Sequence, residues 1–156
     1  MSTAMTDEIT HHLTDALLMA YSAGTLPEAF NLAVATHVSM CDACRAAAES
    51  YDAVGGALLA ETESQEMAAD ALSSALAMIR DTPAEAPAPR PADVPAPLAG
   101  YIGGSLADVT WRPVGMGVKQ AVLKTSPEAT ARLLYIPAGA AMPDHGHKGL
   151  ELTLVL

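Results

Sequence analysis

Three residues with metal-binding side chains, His37, Cys41 and Cys44, lie in a His-x3-Cys-x2-Cys spacing that contains both cysteines of the chain. Two thiolates and an imidazole are ligands that tetrahedral zinc prefers. On one uninterrupted helix the three side chains would share a face, but the ends of that face lie about 10 Å apart, too far for ligands of one ion. We therefore expect one helix to end near Met40 and another to begin near Cys41 or Asp42, which places the thiolates at a helix N-terminus.

The cysteine pair has two other interpretations, a redox or free thiol pair and a structural disulfide. A redox Cys-x-x-Cys motif normally opens a helix after a strand, and no strand pattern precedes Cys41. Zinc also requires a fourth ligand, for which His11 and His12 are the available donors in this half of the chain. Spacing alone leaves the choice between these two histidines open.

A second group of potential ligands lies near the C-terminal end, where Gly139, His145, His147 and Glu151 follow a Gly-x5-His-x-His-x3-Glu spacing. On an extended segment the two histidines and the glutamate point to the same side. Two imidazoles and a carboxylate suit Zn, Fe, Mn or Ni. The alternative is that the two histidines are surface residues of a loop.

Proline content marks a domain boundary. Residues 82–97 contain six prolines in sixteen positions, a composition typical of an extended, semi-rigid linker. We therefore predict an N-terminal domain over residues 1–81 and a C-terminal domain over residues 98–156. Aromatic residues make up only 4% of the chain, so both cores must be thin, and a metal would help to stabilise them.

Charge is distributed unevenly between the two halves. Residues 1–80 carry eleven acidic and two basic residues, a net charge of −9, whereas residues 98–156 have a net charge of +1. Nucleic-acid binding by the first half is disfavoured because phosphate contacts need Lys and Arg, and a basic protein partner is favoured. We expect no membrane association and a cytoplasmic location, because the sequence contains no apolar run of signal-peptide or membrane-span length.

Apolar periodicity predicts an N-terminal bundle of three to four helices. The first covers residues 14–23, the second begins with Thr25 as N-cap and Glu28 as its capping-box partner, and the third covers residues 42–60 with Val54 and Leu58 directed inward. A fourth amphipathic segment, residues 66–80, has Ala68, Leu72, Leu76 and Ile79 on one face. This segment either closes a four-helix bundle or lies detached as a tethered helix that offers its apolar face to a partner's groove.

Beyond the linker the pattern changes from helix to strand. Residues 118–125 and 130–136 are rich in Val, Leu and Tyr and predict a hairpin, and residues 150–156 predict the start of a further strand. So few strands cannot close a barrel or a sandwich, so we expect a partial domain in this half. The predicted fold class is multi-domain, α followed by β.

The two ligand groups together resemble a known family. The Gly139, His145, His147 and Glu151 spacing resembles the first metal-binding motif of cupins, whose fold is a double-stranded β-helix, and the His37 cluster resembles the zinc-binding anti-sigma domain. In this order they resemble the ChrR-type anti-sigma factors. The resemblance implies that structural zinc is bound by His12, His37, Cys41 and Cys44, with His12 preferred to His11. It also implies a second Zn²⁺ or other divalent metal at His145, His147 and Glu151, in a cupin site that is incomplete because its later histidine motif has no counterpart here.

The resemblance implies a regulator without catalytic residues. Its helical domain would sequester an extracytoplasmic-function sigma factor in a 1:1 heterodimer, and its cupin half would release that factor on oxidative stress from singlet oxygen or peroxide. The alternative is a metal-dependent cupin enzyme of the dioxygenase or isomerase type with a helical appendage. A third possibility, a zinc-dependent nucleic-acid-binding module, is opposed by the charge of −9 over residues 1–80.

Overall fold

The computed structural model describes residues 9–84, 93–140, 146 and 148–156. The described chain is helical at first and ends in a small sheet. The helices are α1 (Asp15–Ser22), α2 (Glu28–Met40), α3 (Asp42–Ala60), α4 (Ala71–Asp81) and α5 (Ala96–Ile102), and the strands are β1 (Arg112–Gly115), β2 (Val118–Val122) and β3 (Arg132–Tyr135). Within these residues, no helix is both long and apolar enough to cross a membrane.

The first three helices form a bundle around a small core. Leu18 of α1, Val34 of α2 and Ala48 of α3 are buried together with both cysteines. Thr14 caps α1, because its side chain accepts a hydrogen bond from the Leu17 N–H. The chain then turns at Gly24, whose φ of 67° lies in the left-handed region that glycine adopts without steric cost.

The predicted capping box at the start of α2 is wrong. The helix begins at Glu28, and the cap position is Pro27, which makes no side-chain cap hydrogen bond. The Thr25 hydroxyl donates instead to the Ala20 carbonyl of the preceding helix. The Glu28 carboxylate is engaged by residues far along the chain, so tertiary contacts replace the local cap.

The second half of α3 and all of α4 lie outside the bundle. The buried residues of α3 are Cys44 and Ala48, near its start, whereas Val54 is 58% exposed and Leu58 is 63% exposed, so the prediction that these two face inward is wrong. No residue of α4 is buried. Of the two alternatives for the fourth helix, the described structure shows the detached one, because none of its residues is buried against α1, α2 or α3.

A second core joins the C-terminal half to the helical half. Leu32 of α2 packs with Leu98, Ala99 and Ile102 of α5, and with Val94 just before that helix. The helix α5 begins inside the segment predicted as linker, so the described end of that segment contributes to a core. The division into domains predicted from the sequence does not include this contact. It involves the side of α2 that carries Leu32, not the side that carries His37.

The sheet is an antiparallel meander in the order β1-β2-β3. The predicted hairpin is present as β2 and β3, with Val122 opposite Arg132, and β1 adds a strand that the sequence pattern did not predict. The predicted strand over residues 150–156 is wrong, because this segment makes no ladder in the described structure. Its Leu152 packs against the helical core instead. The observed sheet confirms α followed by β, while the cupin fold remains a prediction.

Two glycine substitutions test these backbone assignments. Gly56 lies inside exposed α3, with open space where an alanine side chain would be added, so Gly56→Ala should raise the free energy of unfolding by about 0.5–1 kcal/mol. Gly103 has a φ of 88°, and an added Cβ would lie 3.2 Å from the Cβ of Asp108. Gly103→Ala should therefore lower stability by about 1 kcal/mol or more. Urea unfolding followed by circular dichroism measures both, and equal effects of the two substitutions would contradict the assignments.

Candidate metal centre

Four side chains converge where α1, α2 and α3 meet. They are His12 before α1, His37 in the last turn of α2, Cys41 at the joint, and Cys44 in the first turn of α3, and their ligand atoms all lie within 4.8 Å of one another. Among the residues that the structure describes, this is the one group of three or more potential ligands that could hold a metal ion. Both cysteines are free and buried, so the structure contains no disulfide between them.

The distances fit a single tetrahedral ion. His37 Nε2 lies 3.3 Å from Cys44 Sγ, and His12 Nδ1 lies 3.4 Å from Cys41 Sγ and 3.6 Å from Cys44 Sγ. Zinc bond lengths and the tetrahedral angle place a nitrogen and a sulfur ligand about 3.5–3.6 Å apart. Two thiolates and two imidazoles in this arrangement therefore form a donor set suited to a closed structural zinc site.

The break between two helices brings the donors together. α2 ends at Met40, α3 begins at Asp42, and Cys41 is extended, with φ of −109° and ψ of 107°. This confirms the predicted bend, which shortens the distance that a continuous helix would impose between His37 and Cys44. Cys41 serves both as the C-cap of α2 and as the N-cap of α3.

Backbone N–H groups point at both sulfur atoms. The Cys44 N–H donates to Cys41 Sγ at 3.5 Å, and the Leu13 N–H donates to Cys44 Sγ at 3.4 Å. Such donors, together with the N-terminus of α3, would stabilise the negative charge of thiolates that hold a metal. Leu13 follows His12 directly, so its backbone contact also fixes the position of that histidine beside the thiols.

Burial shifts the pKa values of His37 and Cys44 in opposite directions. The pKa of His37 is lowered from its usual value, first by burial and second by the nearby His12, so its imidazole is neutral at pH 7 and offers a lone pair. The pKa of the Cys44 thiol is raised, first by burial, with the Leu13 N–H acting in the opposite direction. In the metal-free protein this thiol is protonated at neutral pH, and a bound cation would displace the proton.

The structure distinguishes the two candidate histidines by position. Both side chains are exposed, but His12 lies in the cluster, whereas His11 lies outside it, with its Nδ1 3.2 Å from the Thr10 hydroxyl. The two histidines are adjacent in the chain, so sequence spacing could not show which of them is the fourth ligand. The position of His12 follows from its neighbours, because Ile9 and Leu13 pack against the cysteine-containing core and the Leu13 N–H donates to Cys44 Sγ.

The second predicted site is only partly visible. His145 and His147 lie outside the described residues. Glu151 is described and exposed, and it accepts a hydrogen bond from the Thr153 hydroxyl at 3.3 Å. The site therefore stays a prediction.

Sequence reasoning missed the role of Glu28, which was assigned to a local cap. Its carboxylate accepts hydrogen bonds from Tyr101 and from the Ser126 backbone, both in the C-terminal half. One signal was available in the sequence. α2 is apolar on more than one side, which is typical of a helix that packs against two partners.

Comparison with known proteins places the chain in a family. No family model matches it. It is 58% identical over 153 residues to the anti-sigma-E factor ChrR of Cereibacter sphaeroides, a match that covers 95% of this chain and 70% of the relative. A crystal structure of Rhodobacter sphaeroides SigE in complex with the anti-sigma ChrR matches with a TM-score of 0.75 and 55% identity, over 89% of this chain and 71% of that one. At this identity and coverage, the chain belongs to the ChrR family of anti-sigma factors, which are regulators and not enzymes.

Proposed function

We propose that this chain sequesters an extracytoplasmic-function sigma factor in a 1:1 complex and thereby controls transcription in the cytoplasm. The observation that carries the proposal is the apolar face of α4, which no part of the described structure covers, in a chain so similar to a protein solved in complex with SigE. Binding of a sigma factor requires an extended surface on its partner and does not require a substrate pocket. The proposal therefore rests on exposed helices and makes no use of catalytic residues.

Two neighbouring stretches of the helical half carry exposed apolar residues. On α4, Leu72 is 73% exposed and Ile79 is 70% exposed, and they share one helical face with Leu76. The end of α3 presents Leu58 and Leu59 to solvent. Large exposed apolar side chains at helical spacing are typical of a helix that binds in a partner's groove. We assign these two stretches as two arms around the sigma factor.

The charge around the arms favours a basic partner. Glu61, Glu63, Glu66 and Asp70 lie between α3 and α4, and all four are exposed. A sigma factor must present basic surfaces to promoter DNA, because phosphate contacts require Lys and Arg. Acidic residues between the two arms would be drawn to those surfaces, which would accelerate association and help to exclude DNA. The same acidic character argues against direct nucleic-acid binding by this chain.

We assign a structural role to zinc at His12, His37, Cys41 and Cys44. A bound zinc ion would supply cross-links between the start of α1, the end of α2 and the start of α3. Four protein ligands leave it no open position for substrate, which is typical of a structural site. The core that it would support contains few large side chains, with Leu18 and Val34 as its largest fully buried apolar residues, so the metal would contribute much of the stability.

We further propose that the C-terminal half belongs to a cupin domain that receives an oxidative signal, such as singlet oxygen or peroxide, and causes release of the sigma factor. His145, His147 and Glu151 are its candidate ligands for a second divalent metal. The β1-β2-β3 meander is compatible with the start of a cupin sheet. Exposure of cells to singlet oxygen, followed by co-purification of the sigma factor, tests this part of the proposal, which an unchanged complex would contradict.

Removing a zinc ligand should abolish metal binding and sigma binding together. Cys41→Ser and His37→Ala each leave an incomplete ligand set, so we expect bound zinc to fall from about one per chain to near zero. Affinity for SigE of Rhodobacter sphaeroides should fall at least about tenfold, because the bundle that carries α3 loosens. Elemental analysis and calorimetry measure the two quantities. His11→Ala is the matched control and should retain zinc; tight sigma binding by a zinc-free variant would exclude the structural role.

Zinc binding to the metal-free protein should release protons at pH 7. The raised pKa of Cys44 keeps its thiol protonated without metal, and the lowered pKa of His37 means that this imidazole contributes no proton. We expect release of at least about one proton per zinc. Calorimetric titrations in two buffers with different ionisation enthalpies measure this number. A heat of binding that is independent of the buffer would show that no proton is released and would contradict a protonated Cys44 thiol in the metal-free protein.

The apolar face of α4 should be required for sigma binding but not for folding. Leu72→Ser together with Ile79→Ser removes two exposed side chains, so we expect about tenfold to a hundredfold weaker binding with an unchanged melting temperature. Ala77→Ser, on another face of the same exposed helix, is the control and should bind normally. Titration calorimetry with SigE measures the affinities, and equal affinities of the two variants would argue against α4 as a binding arm.

A further inference from the structure

One carboxylate joins the two halves of the chain. Glu28 lies in the first turn of α2. Its Oε1 accepts a hydrogen bond from the Tyr101 hydroxyl, with 2.8 Å between the two oxygens, and its Oε2 accepts one from the Ser126 backbone N–H, with 2.5 Å between nitrogen and oxygen. Tyr101 belongs to α5, and Ser126 belongs to the connection between β2 and β3. Both oxygens of one side chain are thus engaged by two separate elements of the C-terminal half.

An apolar interface lies beside this carboxylate. Leu32, one helical turn beyond Glu28, is buried against Leu98 and Ile102 of α5. Apolar burial is favourable but weakly directional, whereas hydrogen bonds to a carboxylate fix orientation. The interface therefore combines an apolar contact that holds α5 against α2 with a polar contact that sets its position.

The same helix contributes to the metal centre on its other side. Val34 and His37 of α2 face the core that contains both cysteines, while Leu32 faces α5. α2 is thus packed between the candidate zinc site and the C-terminal half. α5 thus contacts the helix that supplies a metal ligand, whereas α4 has no buried residue.

We propose that Glu28 is a polar clamp that fixes the C-terminal half on α2, and that the signal from that half reaches the sigma-binding helices through this contact. The first part concerns the free protein alone. The second part rests on the proposed function. The clamp is distinct from the sigma-binding arms, so its loss should uncouple the two halves while the arms remain intact.

Hydrogen exchange of the full zinc-loaded chain tests the clamp without a sigma factor. In Glu28→Ala, amides of residues 96–102 and 123–131 should exchange about tenfold or more faster, because two hydrogen bonds to a charged group are lost. Amides of residues 42–51, in the zinc core, should exchange as in the wild type. Glu28→Gln keeps the size of the side chain but retains only one of its two acceptor oxygens. It should therefore accelerate exchange of the same amides less than Glu28→Ala does.

A matched control and a spectroscopic measurement separate the clamp from general destabilisation. Glu49→Ala removes an exposed carboxylate of α3 and should leave exchange in α5 unchanged. The Glu28 hydrogen bond raises the pKa of Tyr101, with partial burial as a second cause, so Glu28→Ala should lower that pKa in an ultraviolet titration referenced to Tyr101→Phe. Two results would overturn the proposed clamp. In Glu28→Ala, the amides of residues 96–102 could exchange at the wild-type rate, or those of the zinc core could be accelerated as much as those of α5.

Binding and release of SigE by Glu28→Ala test whether the signal passes through this contact. The affinity of Glu28→Ala for SigE of Rhodobacter sphaeroides should stay within about twofold of the wild type, because the arms are untouched, whereas release by singlet oxygen should be lost. Release at the wild-type rate would overturn the regulatory part and leave the exchange result standing. Failure of the wild-type chain itself to bind SigE would count against the proposed function and not against the clamp.

Discussion

The convergence of four donors at the joint between α2 and α3 is the constraint on which the helical half depends. Its three helices bury a core that is small and poor in aromatic side chains, so apolar packing alone gives limited stability. His37 and Cys44 can approach within 3.3 Å only because the helix breaks at Cys41. The break also sets the angle between α2 and α3, and with it the direction in which the exposed end of α3 projects.

α2 satisfies a second demand, because it packs on both sides. One side faces the cysteines, and the other faces α5 through Leu32 and Glu28. A helix in this position cannot move against one partner without disturbing the other, since packed interiors leave little free volume. The two halves are therefore in physical contact at a place that a division by the proline-rich segment does not reveal.

The surfaces proposed for the partner are those that the bundle leaves uncovered. A closed four-helix bundle would have buried Leu72, Leu76 and Ile79 against α1 to α3, and no surface of this kind would remain. The described structure keeps α4 apart and the end of α3 exposed. This arrangement leaves apolar side chains in water in the free protein, a cost that is recovered when a partner covers them.

The sequence by itself determined the features that short spacings control. Ligand chemistry predicted the cluster of His37, Cys41 and Cys44, and the geometry of a helix required the break at Cys41. Two short runs rich in Val, Leu and Tyr predicted the β2-β3 hairpin. Tertiary structure alone decided whether α4 closes the bundle and that Glu28 binds Tyr101 and Ser126 in place of a cap. It also placed His12 in the cluster, a choice that spacing left open and that only the family resemblance favoured. The physical reason is that these outcomes depend on partners distant in the chain: Tyr101 lies 73 residues beyond Glu28, and no local pattern encodes a contact of that kind.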